Sequence, residues 1–220
     1  MSCTARISGS LQGDGQANLN VTATLEPRMT ALIRGFANAG GANANSPVLD
    51  GPAISASMSA APGIASVMLR NRTPSSIEGP VSISRISDFL RHGTAAGFIS
   101  FQQEGATAGR VTVNINRNSG PHILAMISEE ISDYLSALMA PIATGEVLTK
   151  TEYLSLVTSV YNKGIADEIS AATINASIDF PAQVRSVRGG TFSGRRANFE
   201  IPLLDLLVLQ TPLSYEVTWR

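Results

Sequence analysis

Apolar and polar residues alternate from Ala17 to Leu25, where Ala17, Leu19, Val21, Ala23 and Leu25 are separated by Asn18, Asn20, Thr22 and Thr24. A period of two puts every apolar side chain on one face, so the spacing predicts a half-buried strand. Thr4 to Leu11 can supply its partner, because Gly13-Asp14-Gly15 between them has the chemistry of a tight turn. The chain is thus expected to open with a hairpin. Pro27 suits the first turn of a helix, and Met29, Leu32, Ile33 and Phe36 recur on one face as far as Asn38.

Residues 39–62 are dominated by Gly, Ala, Asn, Ser and Pro, which offer little to bury. They read as a long loop and a candidate mobile insertion, with one weak helix around Ala53 to Ala60. Ile64 to Leu69 and Val81 to Ile83 are short strand candidates on either side of the turn-rich Asn71 to Pro80, and a short helix follows over Ile86 to Arg91. Phe98 to Gln103 and Arg110 to Asn116 form a second expected hairpin around Gly105 to Gly109. A central helix is expected from Ser119 as N-cap, with Ile123, Ile127, Ile131, Tyr134, Leu135 and Leu138 along one stripe, closed by Pro141 and Gly145. Thr149 and Glu152 then stand in capping-box register ahead of Tyr153, Leu156, Val157 and Val160. Gly164 is expected to break or cap this helix, leaving a further turn around Ala166 to Ile169.

In the last third Ile174, Ala176, Ile178 and Phe180 alternate with polar residues until Pro181, and Leu213, Tyr215, Val217 and Trp219 do the same in a closing strand. Gly189-Gly190 and Gly194 punctuate short strands through Val184, Phe192 and Phe199. Strands therefore flank a helical middle. That order predicts an α+β fold with an antiparallel or mixed sheet and helices packed on it, as one domain over residues 1–220.

Composition adds bounds. With 44% hydrophobic and 15% charged residues in 220, the chain can bury a sizeable core. A formal net charge of -1 gives no global field to draw it onto nucleic acid. No stretch reaches the ~18 apolar residues of a membrane-spanning helix. The single cysteine, Cys3, excludes an internal disulfide and a multi-cysteine zinc site. It is either an incidental residue near the start of the sequence or the lipid-bearing cysteine of a bacterial lipoprotein.

Candidate chemistry is sparse. His92 and His122 lack metal-binding spacing, and each reads as a surface or helix-end residue. No G-x-S-x-G elbow, G-x-G-x-x-G or G-x-x-x-x-G-K-[ST] occurs, so no nucleophile or phosphate loop is indicated. Glu129 and Glu130 are helix neighbours about 100° apart and read as a solvated pair. The expectation is a protein that is not an enzyme and uses no cofactor or metal. Arg185, Arg188, Arg195 and Arg196 form the one local charge feature, either a patch for an anionic ligand or a charged hairpin protected from edge pairing. Glycosylation sequons at Asn20, Asn71 and Asn175 are of the kind that such a composition produces by chance. Leu203 to Leu209 reads as core, with a membrane-dipping element as the alternative.

Cys3 ahead of a strand, the Gly13-Asp14-Gly15 turn and a second strand, and then Phe180-Pro181-Ala182-Gln183-Val184 leading through Gly189-Gly190, together resemble bacterial envelope lipoproteins with an LppM-type domain, spirochaetal ones included. The resemblance is carried by the two ends of the chain. It implies an α+β domain tethered to a membrane by lipid at Cys3 and exposed to the periplasm or cell surface, and it brings no catalytic residues. The expected role is binding or interaction with an unknown protein or other ligand; the alternative is a periplasmic carrier holding a small apolar ligand or lipid between helices and sheet.

Overall fold

The computed structural model describes residues 4–39, 46–92, 94–124 and 129–220. Strands β1 (Thr4–Leu11) and β2 (Ala17–Thr24) form the expected hairpin, paired antiparallel from Thr4 opposite Thr24 to Leu11 opposite Ala17. In its turn the Asp14 carboxylate accepts from Gln16 N–H at 3.0 Å, and Gly15 takes a left-handed φ of +85° that a side chain would strain. Helix α1 (Pro27–Ala39) follows. Its first turn is held from far along the chain, because the Glu168 carboxylate accepts from Arg28 N–H at 3.3 Å and from Met29 N–H at 2.9 Å. A carboxylate there both satisfies free donors and opposes the positive end of the helix.

Of residues 39–62, the described part carries α2 (Gly51–Ser59), started by Asp50, whose carboxylate accepts from Ala53 N–H at 3.0 Å. The helix lies against β3 (Ile64–Val67) and β4 (Arg70–Thr73). Ser55 Oγ accepts from Leu69 N–H at 2.8 Å, and the Asn71 side chain donates to the Leu49 carbonyl while accepting from Gly51 N–H. The stretch Asn71 to Pro80, expected as turn, is instead most of β4 and the first half of β5 (Ser76–Ile83); only Pro74 and Ser75 turn. Cross-strand charge explains the difference, since Arg70 and Arg72 both reach Glu78, at 2.8 and 3.1 Å, and Ile77 and Val81 are buried beneath.

Helix α3 (Ile86–His92) and a 3-10 turn (Thr94–Gly97) lead to the second hairpin, β6 (Ile99–Glu104) and β7 (Ala108–Ile115). The N-cap expected at Ser119 is displaced by one turn. Asn116 accepts from Asn118 N–H and Ser119 Oγ accepts from Asn116 N–H, a capping box that opens a 3-10 turn running into α4 (Gly120–Leu124). Next come α5 (Glu129–Ala137) and α6 (Pro141–Thr144); Ile127 lies outside the described residues. The Thr149/Glu152 box is found as read: Thr149 Oγ1 accepts from Glu152 N–H at 3.2 Å, and the Glu152 carboxylate accepts from Thr149 N–H at 2.8 Å, opening α7 (Lys150–Val160). Those hydrogen bonds hold the Glu152 carboxyl below the usual carboxylate range. Gly164 neither breaks nor caps α7. Asn162 caps a separate α8 (Lys163–Ala171), and Gly164 sits in its first turn, where a Cβ would come within 2.7 Å of the Arg28 guanidinium.

The remaining elements are β8 (Thr173–Asp179), β9 (Val184–Arg188), β10 (Gly190–Ser193), β11 (Arg196–Pro202), α9 (Leu203–Val208) and β12 (Leu213–Trp219). The first sheet runs β10-β11-β8-β1-β2-β5-β3, with β4 also paired to β5; β1 and β8 are parallel and the other pairs antiparallel. The second sheet, β6-β7-β12-β9, is wholly antiparallel. The fold is α+β with one mixed and one antiparallel sheet.

Register places the helices. Thr4 pairs with both Thr24 and Thr173, and Thr173 with Pro202, so α1, α8 and α9 all leave or enter the first sheet at its Thr4 end. There Met29, Ile33, Tyr153, Val157, Ile165, Ile169, Leu207 and Val208 share one core. At the Leu11 end a second core forms between the sheets from Leu11, Ala17, Phe180, Val184, Ala197, Val217 and Trp219. A third lies under α2.

Candidate anion-binding pocket

The outer face of the second sheet owes its polarity to simple alternation. Phe101, Val111, Val217 and Val187 lie in one register row and pack into the inter-sheet core; the adjacent row is Gln102, Arg110, Thr218 and Ser186. Ser186 and Thr218 hydroxyls are 2.7 Å apart, and Thr112 Oγ1 donates to Glu216 at 3.4 Å in the next row. The alternation fails at one point. Trp219 pairs with Val184 but Thr218 pairs with Ser186, so Arg185 is an extra residue in a β-bulge, and Arg185 and Ser186 are exposed in succession. A bulge redirects a side chain in this way, and here it adds Arg185 to a face already carrying Arg110.

The result is a pocket of about 320 Å³ lined by Gln102, Glu104, Arg110, Arg185, Thr218 and Arg220, while the Trp219 ring lies on the other face of the sheet, in the inter-sheet core. Among the described residues, Arg110, Arg185 and Arg220 make no ion pair within 4.0 Å, so three guanidinium groups stand against the single carboxylate of Glu104. Trp219 is fixed by rings at 4.9 Å (Phe180) and 6.2 Å (Phe101). A Cβ on Gly109 would collide with the Trp219 ring, which ties that glycine to the packing of the inter-sheet core beneath the strand.

The four arginines singled out by sequence are distributed over both sheets. Arg185 and Arg188 are on β9, Arg188 opposite Glu216. Arg195 lies in the β10–β11 turn, and Arg196 is bound to Asp179 by two hydrogen bonds, at 2.9 and 2.7 Å. Those bonds hold the Asp179 carboxyl below its ordinary range. Arg110 and Arg220 were missed because β-pairing alone brings them to Arg185. The readable signal was Val184-Arg185-Ser186-Val187, where two polar residues interrupt period-two alternation.

Cys3 lies outside the described residues; the residue after it begins β1. His92 closes α3, and His122 is exposed on α4 with its ring packed on Gly97. Glu129 and Glu130 open α5. All three sequon asparagines are in strands, β2, β4 and β8. The membrane-dipping alternative for Leu203 to Leu209 does not hold, because Leu204, Leu207, Val208 and Leu209 are each no more than 8% exposed and belong to the helical core. Beside them is a groove of about 400 Å³ between α4, α6 and α9, with Pro121, Leu124, Ile142, Val208 and Leu209 as apolar walls and Arg117 at one side.

Fold and site together define an α+β protein of two sheets with a cationic pocket on the outer face of the smaller one. No known protein-family profile matches the chain. No curated protein matches it either. Among solved structures, the NMR structure of the folded domain of Mycobacterium tuberculosis LppM is similar, with 13% identity, a TM-score of 0.42, and coverage of 99% of this chain and 89% of that one. The matched region spans the chain and is not restricted to its two ends, and nothing in the comparison supports a spirochaetal type.

Proposed function

We propose that the protein is a non-catalytic binding module, tethered to a bacterial membrane by lipid on Cys3, facing the periplasm or cell surface, and recognising an anionic ligand on the outer face of its second sheet. The observation carrying this reading is the convergence of Arg110, Arg185 and Arg220 on one pocket without ionic partners among the described residues. Its position suits a tethered protein. From Thr4, next to Cys3, β1 runs eight residues to the Leu11 end, where the β6–β7 turn meets Gly13 through Ala106 and where the Asp179 to Val184 segment leads into Arg185. At ~3.3 Å per residue that is roughly 26 Å, about three Debye lengths at physiological salt, so the bilayer holding Cys3 exerts little field on these arginines.

Radiolabelled palmitate fed to cells expressing the full-length precursor tests the tether: label lost in Cys3→Ser and blocked by globomycin is expected, and an unlabelled wild-type precursor refutes it. The apolar groove beside Leu209 favours a second reading, a carrier of a small apolar ligand. Native mass spectrometry of protein taken from its own cells would then show a bound mass, and a clean apo mass counts against it.

A further inference from the structure

Resting on that reading of the pocket, the geometry points to a phosphate monoester as the ligand, held as a dianion by Arg110, Arg185 and Arg220. A planar carboxylate has two oxygens, and one bidentate guanidinium satisfies it. Here the guanidinium groups come from different places on the sheet: Arg110 from β7, Arg185 from the bulge of β9 and Arg220 from the residue after β12, which runs between those two strands. Strands are ~4.8 Å apart, so Arg110 and Arg185 arise about 10 Å apart, on opposite sides of the strand that leads to Arg220. Donors arriving from several directions match a tetrahedral group with three terminal oxygens. Charge agrees, since three arginines and Glu104 leave the lining side chains at +2, against the -1.5 to -2 of a monoester near pH 7 (about two charges on each side). Gln102 and Thr218 add neutral donors on the same face, and these suit the ester oxygen or the carrier beyond it.

The shared chemistry is the monoester, whether free or on a lipid headgroup. The full chain is titrated with glycerol phosphate at fixed ~0.1 M salt by isothermal titration calorimetry, with acetate as the planar control. A saturable change is expected for glycerol phosphate and none for acetate. Arg185→Gln and Arg110→Gln should each weaken the response about tenfold or more, whereas Arg196→Gln, which breaks only the pair with Asp179, should leave it unchanged. A second arm uses phosphatidylcholine vesicles with and without phosphatidic acid. A response needing phosphatidic acid and Arg185 assigns the headgroup source, and a response to glycerol phosphate alone assigns the soluble one. Acetate binding with Arg185 dependence, in the absence of a glycerol phosphate response, overturns the ligand class but leaves the pocket as the recognition surface. Silence toward every anion, or equal loss in Arg196→Gln, overturns both.

Discussion

Val157 and Val160 lie three residues apart on α7, the first fully buried at 0% exposure and the second 53% exposed. Truncating each to Ala changes the same two carbon atoms on the same helix, and the gain in helix propensity, about 0.5 kcal/mol, is common to both. The difference between the two variants therefore isolates burial. Removing two buried carbons costs about 1.6 kcal/mol at ~0.8 kcal/mol each, and the void left among Tyr153, Ile165, Ile169 and Leu207 raises this toward about 3 kcal/mol if the neighbours do not relax. Val160→Ala should fall between no effect and about 0.5 kcal/mol of stabilisation. Urea denaturation followed by circular dichroism at helix wavelengths and by Trp219 emission gives both values and shows whether the helical and inter-sheet cores unfold together. Variants differing by less than about 0.5 kcal/mol would refute the placement of the α7 stripe. A larger loss at Val160 than at Val157 would reverse the face of the helix that meets the core.

Burial pushes the Tyr153 phenol up, with a smaller effect from Tyr161, and its hydroxyl donates to the Leu138 carbonyl at 3.3 Å. The folded protein thus keeps a proton that the unfolded chain loses above pH ~10, so stability should fall as pH rises beyond that value. Tyr153→Phe should lose about 1 kcal/mol at pH 7 but show a shallower alkaline decline, read by denaturation at pH 7 to 11; an unchanged decline would count against the assignment. Asp179 shows the opposite sign, since hydrogen bonds from Arg196 lower its carboxyl pKa. Its contribution is present above the unfolded value of ~3.9 and is lost as pH falls through the folded one. Arg196→Gln should return the carboxyl toward the ordinary value in an NMR titration, and an unmoved pKa would contradict the pairing. Gly9 faces the Asn18 carbonyl so closely that a Cβ would overlap it. Gly9→Ala should destabilise by about 2 kcal/mol or more, and a neutral melting temperature would refute the register of the first hairpin.

Legibility followed the source of each signal. Alternation in β2, β8 and β12 and the Thr149/Glu152 box were readable because each depends on spacing within one segment. β4 was not, since Arg70-Asn71-Arg72-Thr73 has no apolar alternation and becomes a strand through Glu78 on its neighbour. Ser119 looked like a cap and is one partner of a box centred on Asn116. The pocket was legible only in Arg185. Arg110 and Arg220 are 75 and 35 residues from Arg185 in the chain and meet it through strand pairing, which no local pattern encodes.

The place of β1 has a mechanical consequence. This strand lies between β2 and β8 and is the first element after Cys3. A protein held at that point and pulled by something bound near Leu11 would feel the force along β1. The inter-strand hydrogen bonds lie across that direction, so both ladders are loaded in shear and many bonds must give way together. An edge strand pulled from its end would instead peel one bond at a time. Under the proposed tether, extraction under load would be set by the barrier for that concerted step, with β1 as the stem that resists the pull.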